Sequence, residues 1–417
     1  MAASSISRLD RSGVLVVRTL LWFGSSTRQR LSYLTGFTRG QTNRSLEDLS
    51  ARGWIGFAEE RHIGVGRPAA QVVLSPSLGH FLAVTLEDDE VKITLARSDL
   101  QRVGTRSFGY SFGLSPTKLL NALGREIRSL FSDANISPRK LLSMAVSAPG
   151  PVEALDPPIF RPHPSLGWQG FDIAAYLKGT FRKPVFIDND ANISTMGELL
   201  WSRWNGKSAG KEDWLVVKMN TSGIGAGIVS NGLIHRGSTG LAGEIGHIQV
   251  QPEGPQCTCG LKGCLESVAS APVLLERARL NFQQVHPDGP QSQSSARNNF
   301  SFQELELAVQ SGDEFANSLL LEAGTRLGSV VAGAVSTLNP AKVLVAGRVA
   351  RMAPSILASI RQGIYGCSFP NSTHAIDVEY IRNSEAEIDG ALVYAFEKLV
   401  DTQCSIGSLR PVLSVIG

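Results

Sequence analysis

Gly243-Glu244-Ile245-Gly246-His247, followed by Cys257-Thr258-Cys259-Gly260-Leu261-Lys262-Gly263-Cys264-Leu265-Glu266, is the stretch that decides the reading of this chain. Three thiolates and an imidazole, His247, Cys257, Cys259 and Cys264, make a closed four-coordinate shell of the kind zinc takes in structural sites. With no open coordination position, such a metal would hold the loop rather than act on a substrate. Glu244 and Glu266 bracket the shell, so the loop would fix two carboxylates in place, which suits recognition of a small polar ligand. The plainer alternatives are a disulfide or buried free thiols. Against them, the chain has five cysteines, and four residues of matching ligand chemistry are crowded around glycines. Cys367 and Cys404 stand apart without ligand spacing and read as small buried hydrophobes.

Outward from the loop, length and composition set the frame. A chain of 417 residues exceeds one ordinary domain, and two or three are expected. No uninterrupted apolar run is long enough to cross a bilayer, so no membrane insertion is expected. The apolar stretch 14–23 is broken by Arg18 and followed by no small-residue cleavage site, which argues against a secretory leader. A thiol-rich metal site suits a reducing cytoplasm. The net charge of +3 hides an asymmetry: residues 1–75 hold ten arginines, no lysine and five acids, a balance of +5 that leaves −2 for the rest. A basic terminal module of this kind points to nucleic acid, the alternative being a plain solvated surface.

The order of residues in the module favours nucleic acid. Ser26-Thr27-Arg28-Gln29 and Thr38-Arg39-Gly40-Gln41 both read as capping boxes. They open two short helices, one burying Leu31 and Leu34 and stopping near Gly36, the other burying Leu46 and Leu49 and ending at Gly53. Residues 13–23 supply a third helix. Strand-like segments at 54–57 and 70–74 flank a turn-rich tip at 59–68, which completes a winged helix-turn-helix. The first turn of the second capped helix, beginning at Thr38, is expected to expose Arg39, Gln41, Thr42, Asn43 and Arg44, residue types that read base edges in the major groove. Arg67 at the wing tip suits a narrow minor groove, and Arg28 and Arg30 suit phosphates. A winged helix used for protein contacts is the competing reading. Residues 76–79 read as a short linker.

From about Gly79 strands alternate with helices. Strands are expected at 81–86, 91–96, 142–146, 184–187, 214–218, 228–229 and 342–347, and helices at 115–131 and from 190 through 200. A glycine-rich turn is read at 220–227, and 283–299 reads as a polar insertion. This alternation predicts an α/β body. Asp188, Asn189 and Asp190 follow a strand, where polar groups face the ligand crevice of such folds. The competing role is a helix N-cap.

Taken together, these motifs resemble the ROK family, which groups repressors, open-reading-frame proteins and sugar kinases. The likeness rests on residues 243–247 with the Cys-x-Cys-Gly-x-x-Gly-Cys-x-Glu run, on Asn189-Asp190-Ala191-Asn192 and on Pro149-Gly150-Pro151-Val152, and it covers nearly the whole chain. The resemblance implies an actin-like ATPase fold, two α/β lobes around a cleft. It implies sugar contacts from Asn189, Asp190, Glu244, His247 and Glu266, and Zn2+ on His247, Cys257, Cys259 and Cys264. In kinase members the aspartate at the position of Asp190 is the catalytic base.

One departure bears on function. Kinase members open the body with Asp-x-Gly-Gly-Thr, whose amides and hydroxyl hold ATP phosphates. The matching stretch here is Thr85-Leu86-Glu87-Asp88-Asp89-Glu90, four consecutive acids with no glycine to admit phosphate. The adenosine-side turn also carries Arg348 after Gly347. Phosphoryl transfer needs phosphate positioning and charge neutralisation above all. The expectation is therefore a winged helix-turn-helix over residues 1–76 and a non-catalytic ROK-type body over 77–417, with its zinc loop at 247–264. Such a chain would bind operator DNA, respond to a sugar or sugar phosphate, and assemble as a homodimer or larger homo-oligomer. An ATP-dependent hexose kinase with a fused DNA-binding module is the alternative, and a regulatory protein partner in place of the sugar is a third.

Overall fold

The computed structural model describes residues 8–58, 70–87, 89–110, 115–153, 158–160, 172–208, 212–285, 301–373 and 376–403. The N-terminal module comprises α1 (Arg11–Phe23), α2 (Arg28–Thr35), α3 (Arg39–Ala51), β1 (Ile55–Ala58) and β2 (Gln71–Leu74), with β1 and β2 antiparallel. The α3 capping box forms as its sequence dictates. The Thr38 hydroxyl accepts from the Gln41 N–H at 3.3 Å, and Gln41 Oε1 accepts from the Thr38 N–H at 2.9 Å. At α2 the sequence reading is off by one residue. Thr27 is the cap, accepting from the Arg30 N–H at 3.1 Å, while Ser26 exchanges two backbone hydrogen bonds with Val72 and lengthens the ribbon. The ribbon tip, including Arg67, lies outside the described residues.

The body holds two sheets of the same design. Along the chain come first β3 (His80–Leu86), β4 (Glu90–Arg97), β5 (Arg102–Gly109), α4 (Pro116–Asp133), β6 (Leu141–Ala148), the separate small pair β7 (Val152–Glu153) and β8 (Ile159–Phe160), α5 (Ile173–Phe181), β9 (Val185–Asn189) and α6 (Asp190–Trp204). Then follow β10 (Trp214–Met219), β11 (Ile224–Ser230), β12 (Leu233–His235), α7 (Leu265–Ala269), α8 (Ala271–Val285), α9 (Phe302–Gln310), α10 (Glu314–Leu338), β13 (Lys342–Ala346), α11 (Pro354–Cys367), α12 (Pro370–Thr373) and β14 (Asp377–Tyr380), and last α13 (Ala386–Gln403), which packs back on β3 and β6. Strand order is β5-β4-β3-β6-β9 in one and β12-β11-β10-β13-β14 in the other. In each, three antiparallel strands are followed by two parallel ones. The repeated pattern sets the carboxyl ends of β3, β9, β10 and β13 around a common crevice, where α/β sheets place their ligands.

Several expectations change in detail. β5, whose burial alternates, was not read from the sequence. The glycine-rich turn ends at Gly223, and Gly225 and Gly227 lie inside β11. A side chain at Gly227 would meet Thr195 Oγ1 of α6 at 2.0 Å, so that glycine lets a helix cross the strand closely. The polar insertion begins within the end of α8, and its remainder, 286–299, is outside the described residues. Cys367 is exposed, not a buried hydrophobe, and Cys404 is not among the described residues. Among the described residues one helix, α10, is long and apolar enough to cross a membrane, and 56% of its most apolar stretch is buried inside the fold.

The module and the body share one core. Leu9, Leu21, Trp54 and Val72 are buried in the same cluster as Phe81, Leu200 and Phe396. Trp54 lies 6.5 Å from the Phe396 ring, and Phe396 stacks on Phe81 at 4.5 Å. The linker is packed too: the Ser98 hydroxyl donates to the Gly79 carbonyl at 3.2 Å and to the Ser75 carbonyl just before it at 2.7 Å.

Candidate functional site

The site begins where β9 turns into α6. Asn189 caps α6, its Oδ1 accepting from Ala191 N–H at 2.9 Å and Asn192 N–H at 3.4 Å, while its Nδ2 donates to the Gly150 carbonyl at 2.9 Å. The competing cap role is thus realised by Asn189. Asp188 is buried and pairs with Arg236 at 2.7 Å. Asp190 faces the second lobe, where Lys218 Nζ of β10 lies 2.7 Å from its Oδ2 and 2.6 Å from Glu387 Oε2 of α13. The Ser147 hydroxyl donates to the other Glu387 oxygen at 2.7 Å. Lys218 is buried, which alone would lower its pKa, yet the two carboxylates hold it well above the lysine range. Burial pushes Glu387 up, against the pull of Lys218. Sequence reading missed Lys218 and Glu387. The available signal was a lone lysine in the otherwise apolar strand Trp214–Met219.

Glu244 and Glu266 face the same crevice from the second lobe. Burial pushes Glu244 up to about 7, with the charges of Asp190 and Glu266 adding to it. Burial also pushes Glu266 up to about 7, opposed by a hydrogen bond from the Ile224 backbone and aided by Asp190. These carboxyls and the free oxygen of Asp190 form an acceptor-rich wall suited to hydroxyl donors. The backbone makes room for them: Gly243 has φ +100°, and a Cβ there would lie 1.9 Å from the Ala226 carbonyl.

His247, Cys257, Cys259 and Cys264 converge, with their ligand atoms all within 4.8 Å of one another. Cys259 Sγ and Cys264 Sγ are 3.7 Å apart, and Cys257 Sγ is 3.6 Å from His247 Nδ1. Metal–ligand bonds of about 2.3 Å to sulfur and about 2.0 Å to nitrogen give tetrahedron edges of about 3.8 and 3.5 Å. The cluster therefore fits a four-coordinate metal, and its sulfurs are too far apart for a disulfide. The two ring nitrogens of His247 divide their roles. Nδ1 faces the thiols, and Nε2 lies 4.0 Å from Glu244 Oε2 on the crevice side.

The turn before β4 and the turn after β13 meet through Arg348. Arg348 Nη1 lies 3.0 Å from Asp89 of the first lobe, and its Nη2 lies 3.2 Å from Glu306 of α9. Its guanidinium sits 4.6 Å from the Phe302 ring centre. An ion pair thus spans the crevice where the family resemblance places nucleotide.

On α3, Arg39, Gln41 and Arg44 are exposed and Asn43 is half-buried. Thr42 is a correction: it is buried, with its hydroxyl 2.8 Å from that of Ser32 and donating to the Thr38 carbonyl at 3.1 Å. It shares a face with Leu46 and Leu49, as a helical period requires. Arg28 donates to Asn43 Oδ1 at 2.9 Å and lies over the Phe57 ring, tying α2 to α3.

The paired sheets and interlobe crevice define a sugar-kinase-like, actin-like ATPase body that carries a winged helix-turn-helix. Residues 83–393 match the ROK family model, and the chain belongs to the ROK family. It is similar to the glucokinase of Halalkalibacterium halodurans, 32% identical over 62% of this chain and 75% of that protein. It is similar also to the xylose repressor of Caldicellulosiruptor bescii, 25% identical over 88% of this chain and 90% of that protein. Among solved structures, a ROK family transcriptional regulator, a homologue of the E. coli MLC protein, superposes with a TM-score of 0.69 at 23% identity, covering 93% of this chain and 95% of that one.

Proposed function

We propose that this ROK protein is a sugar-responsive transcriptional regulator, a repressor, acting in the cytoplasm as a homodimer or larger homo-oligomer. The observation that carries the reading is the Arg348–Asp89 ion pair between the turn before β4 and the turn after β13, in a chain whose likeness to a xylose repressor extends over 88% of its length. Arg39, Gln41, Asn43 and Arg44 would read operator bases in the major groove, with Thr38 at the same helix end and Arg28 near the backbone. Arg67 would reach the adjacent minor groove. Asp190, Glu244, His247 and Glu266 would hold sugar hydroxyls, together with the remaining amide proton of Asn189. Zinc on His247, Cys257, Cys259 and Cys264 would lock the loop that aims Glu244, His247 and Glu266.

Helix α6 offers a route from sugar to DNA. It starts at Asp190 in the crevice and ends at Arg203 and Trp204, about 22 Å away by helical rise. There Trp204 Nε1 donates to the Leu21 carbonyl of α1 at 3.2 Å, and Arg203 lies over the Trp22 and Phe23 rings. A sugar that prefers one lobe angle would shift α1, and with it the reading heads, by its difference in affinity for the two states.

The 32% identity to a glucokinase and the retained Asp190 favour a second reading, an ATP-dependent hexose kinase with a fused DNA-binding module. ADP release measured with a hexose panel separates the two. No turnover, with footprinting of a defined DNA site, is expected. Turnover abolished by Asp190→Asn would overturn the regulator reading.

A further inference from the structure

We infer that the effector is a neutral, unphosphorylated sugar, and that the crevice excludes sugar phosphates. The inference rests on the sugar-responsive reading above and specifies its ligand class. A sugar hydroxyl seated against Asp190 would, once esterified, put its phosphate among Asp190, Glu387 and Glu87. Asp190 and Glu387 share a single ammonium, Lys218, so with both carboxylates ionised this buried trio carries one net negative charge. Glu87 at the end of β3 is near enough for its charge to act on Glu387. A phosphate dianion would meet that charge at short range with little water to screen it.

The usual means of holding phosphate are already engaged. Helix N-termini cradle anions with free amides, but at α6 Asn189 Oδ1 takes the amides of Ala191 and Asn192, and Asp190 heads the helix. Arg348 is matched by Asp89 and Glu306, and Lys92 by Glu90 at 3.2 Å. Among the described residues, each of these cations bordering the crevice has a carboxylate partner. What the wall supplies instead is acceptors for hydroxyl protons, from Asp190, Glu244 and Glu266.

The test is calorimetric titration of the full-length, zinc-loaded protein with D-xylose, D-glucose and N-acetylglucosamine, and with the 6-phosphates of the two hexoses. A neutral sugar should bind at least about 100-fold more tightly than any phosphate ester. Glu387→Gln should narrow that gap about tenfold by removing one charge, with a thermal melt confirming that the variant is folded. Equal or tighter binding of a phosphate ester would overturn the inference and leave the sugar-responsive reading intact. Binding of neither class would overturn both.

Discussion

Replacing Lys218 by methionine keeps the length of the side chain and removes its charge. Lys218, Asp190 and Glu387 have side chains only 7%, 12% and 13% exposed, and the ammonium sits 2.7 and 2.6 Å from the two carboxylates. Removing one partner of a buried ion pair costs about 3–5 kcal/mol, because the charge left behind is uncompensated. In domains of this size 1 kcal/mol moves Tm by about 2–4 °C, so Lys218→Met should melt about 6–20 °C lower at neutral pH. The deficit should depend on pH. Burial already raises Glu387 against the pull of Lys218, and losing the lysine raises it further. A carboxyl with a raised folded-state pKa favours folding at low pH, and that advantage is lost as the pH rises through the folded value. The deficit should therefore be largest at neutral pH and shrink as the pH falls toward the ordinary carboxyl range. Adding Glu387→Gln to Lys218→Met should restore about half the loss or more. Circular-dichroism melts over a pH series suffice. A Tm change under about 2 °C, or one indifferent to pH, would refute the reasoning.

Three further outcomes are expected. Arg39→Ala should weaken DNA binding by about 1–3 kcal/mol with relaxed choice at one base, or reduce the salt slope by about one if Arg39 meets a phosphate; anisotropy in a salt series that shows neither would remove Arg39 from the interface. Cys259→Ser should abolish stoichiometric zinc by metal analysis, lower Tm by several degrees and weaken sugar binding, because Glu244 and Glu266 lose their anchor; unchanged sugar affinity in the metal-free variant would sever the two sites. Trp204→Ala should leave sugar affinity unchanged while cutting the effect of sugar on DNA affinity about fivefold, the worth of roughly 1 kcal/mol of lost hydrogen bonding to α1. A full DNA response in that variant would exclude α6 as the route.

The His/Cys cluster was legible because its four residues and their glycines are local in sequence, and a spacing rule suffices for local chemistry. The caps of α2 and α3 were legible to within a residue for the same reason. The exposed reading of Thr42 fails on periodicity: it lies four and seven residues from Leu46 and Leu49, which places it on the inner face. Other features depend on groups far apart in the chain. The departure at Arg348 and the acids before β4 were visible separately, but their pairing joins residues 259 apart. Lys218 and Glu387 meet across 169 residues, and burial alone makes that contact matter. The fusion of the DNA-binding module with the body was hidden as well. Leu9 and Trp54 look like the core residues of any small domain, and only tertiary packing puts Trp54 beside Phe396.

The most direct test of the account is the affinity of the intact protein for a DNA site recovered from its own genome, measured by fluorescence anisotropy with and without saturating neutral sugar. The account predicts a change of about 5–150-fold, mirrored by the same factor in sugar affinity when DNA is saturating. A sugar that binds at the crevice yet leaves DNA affinity unaltered would contradict it.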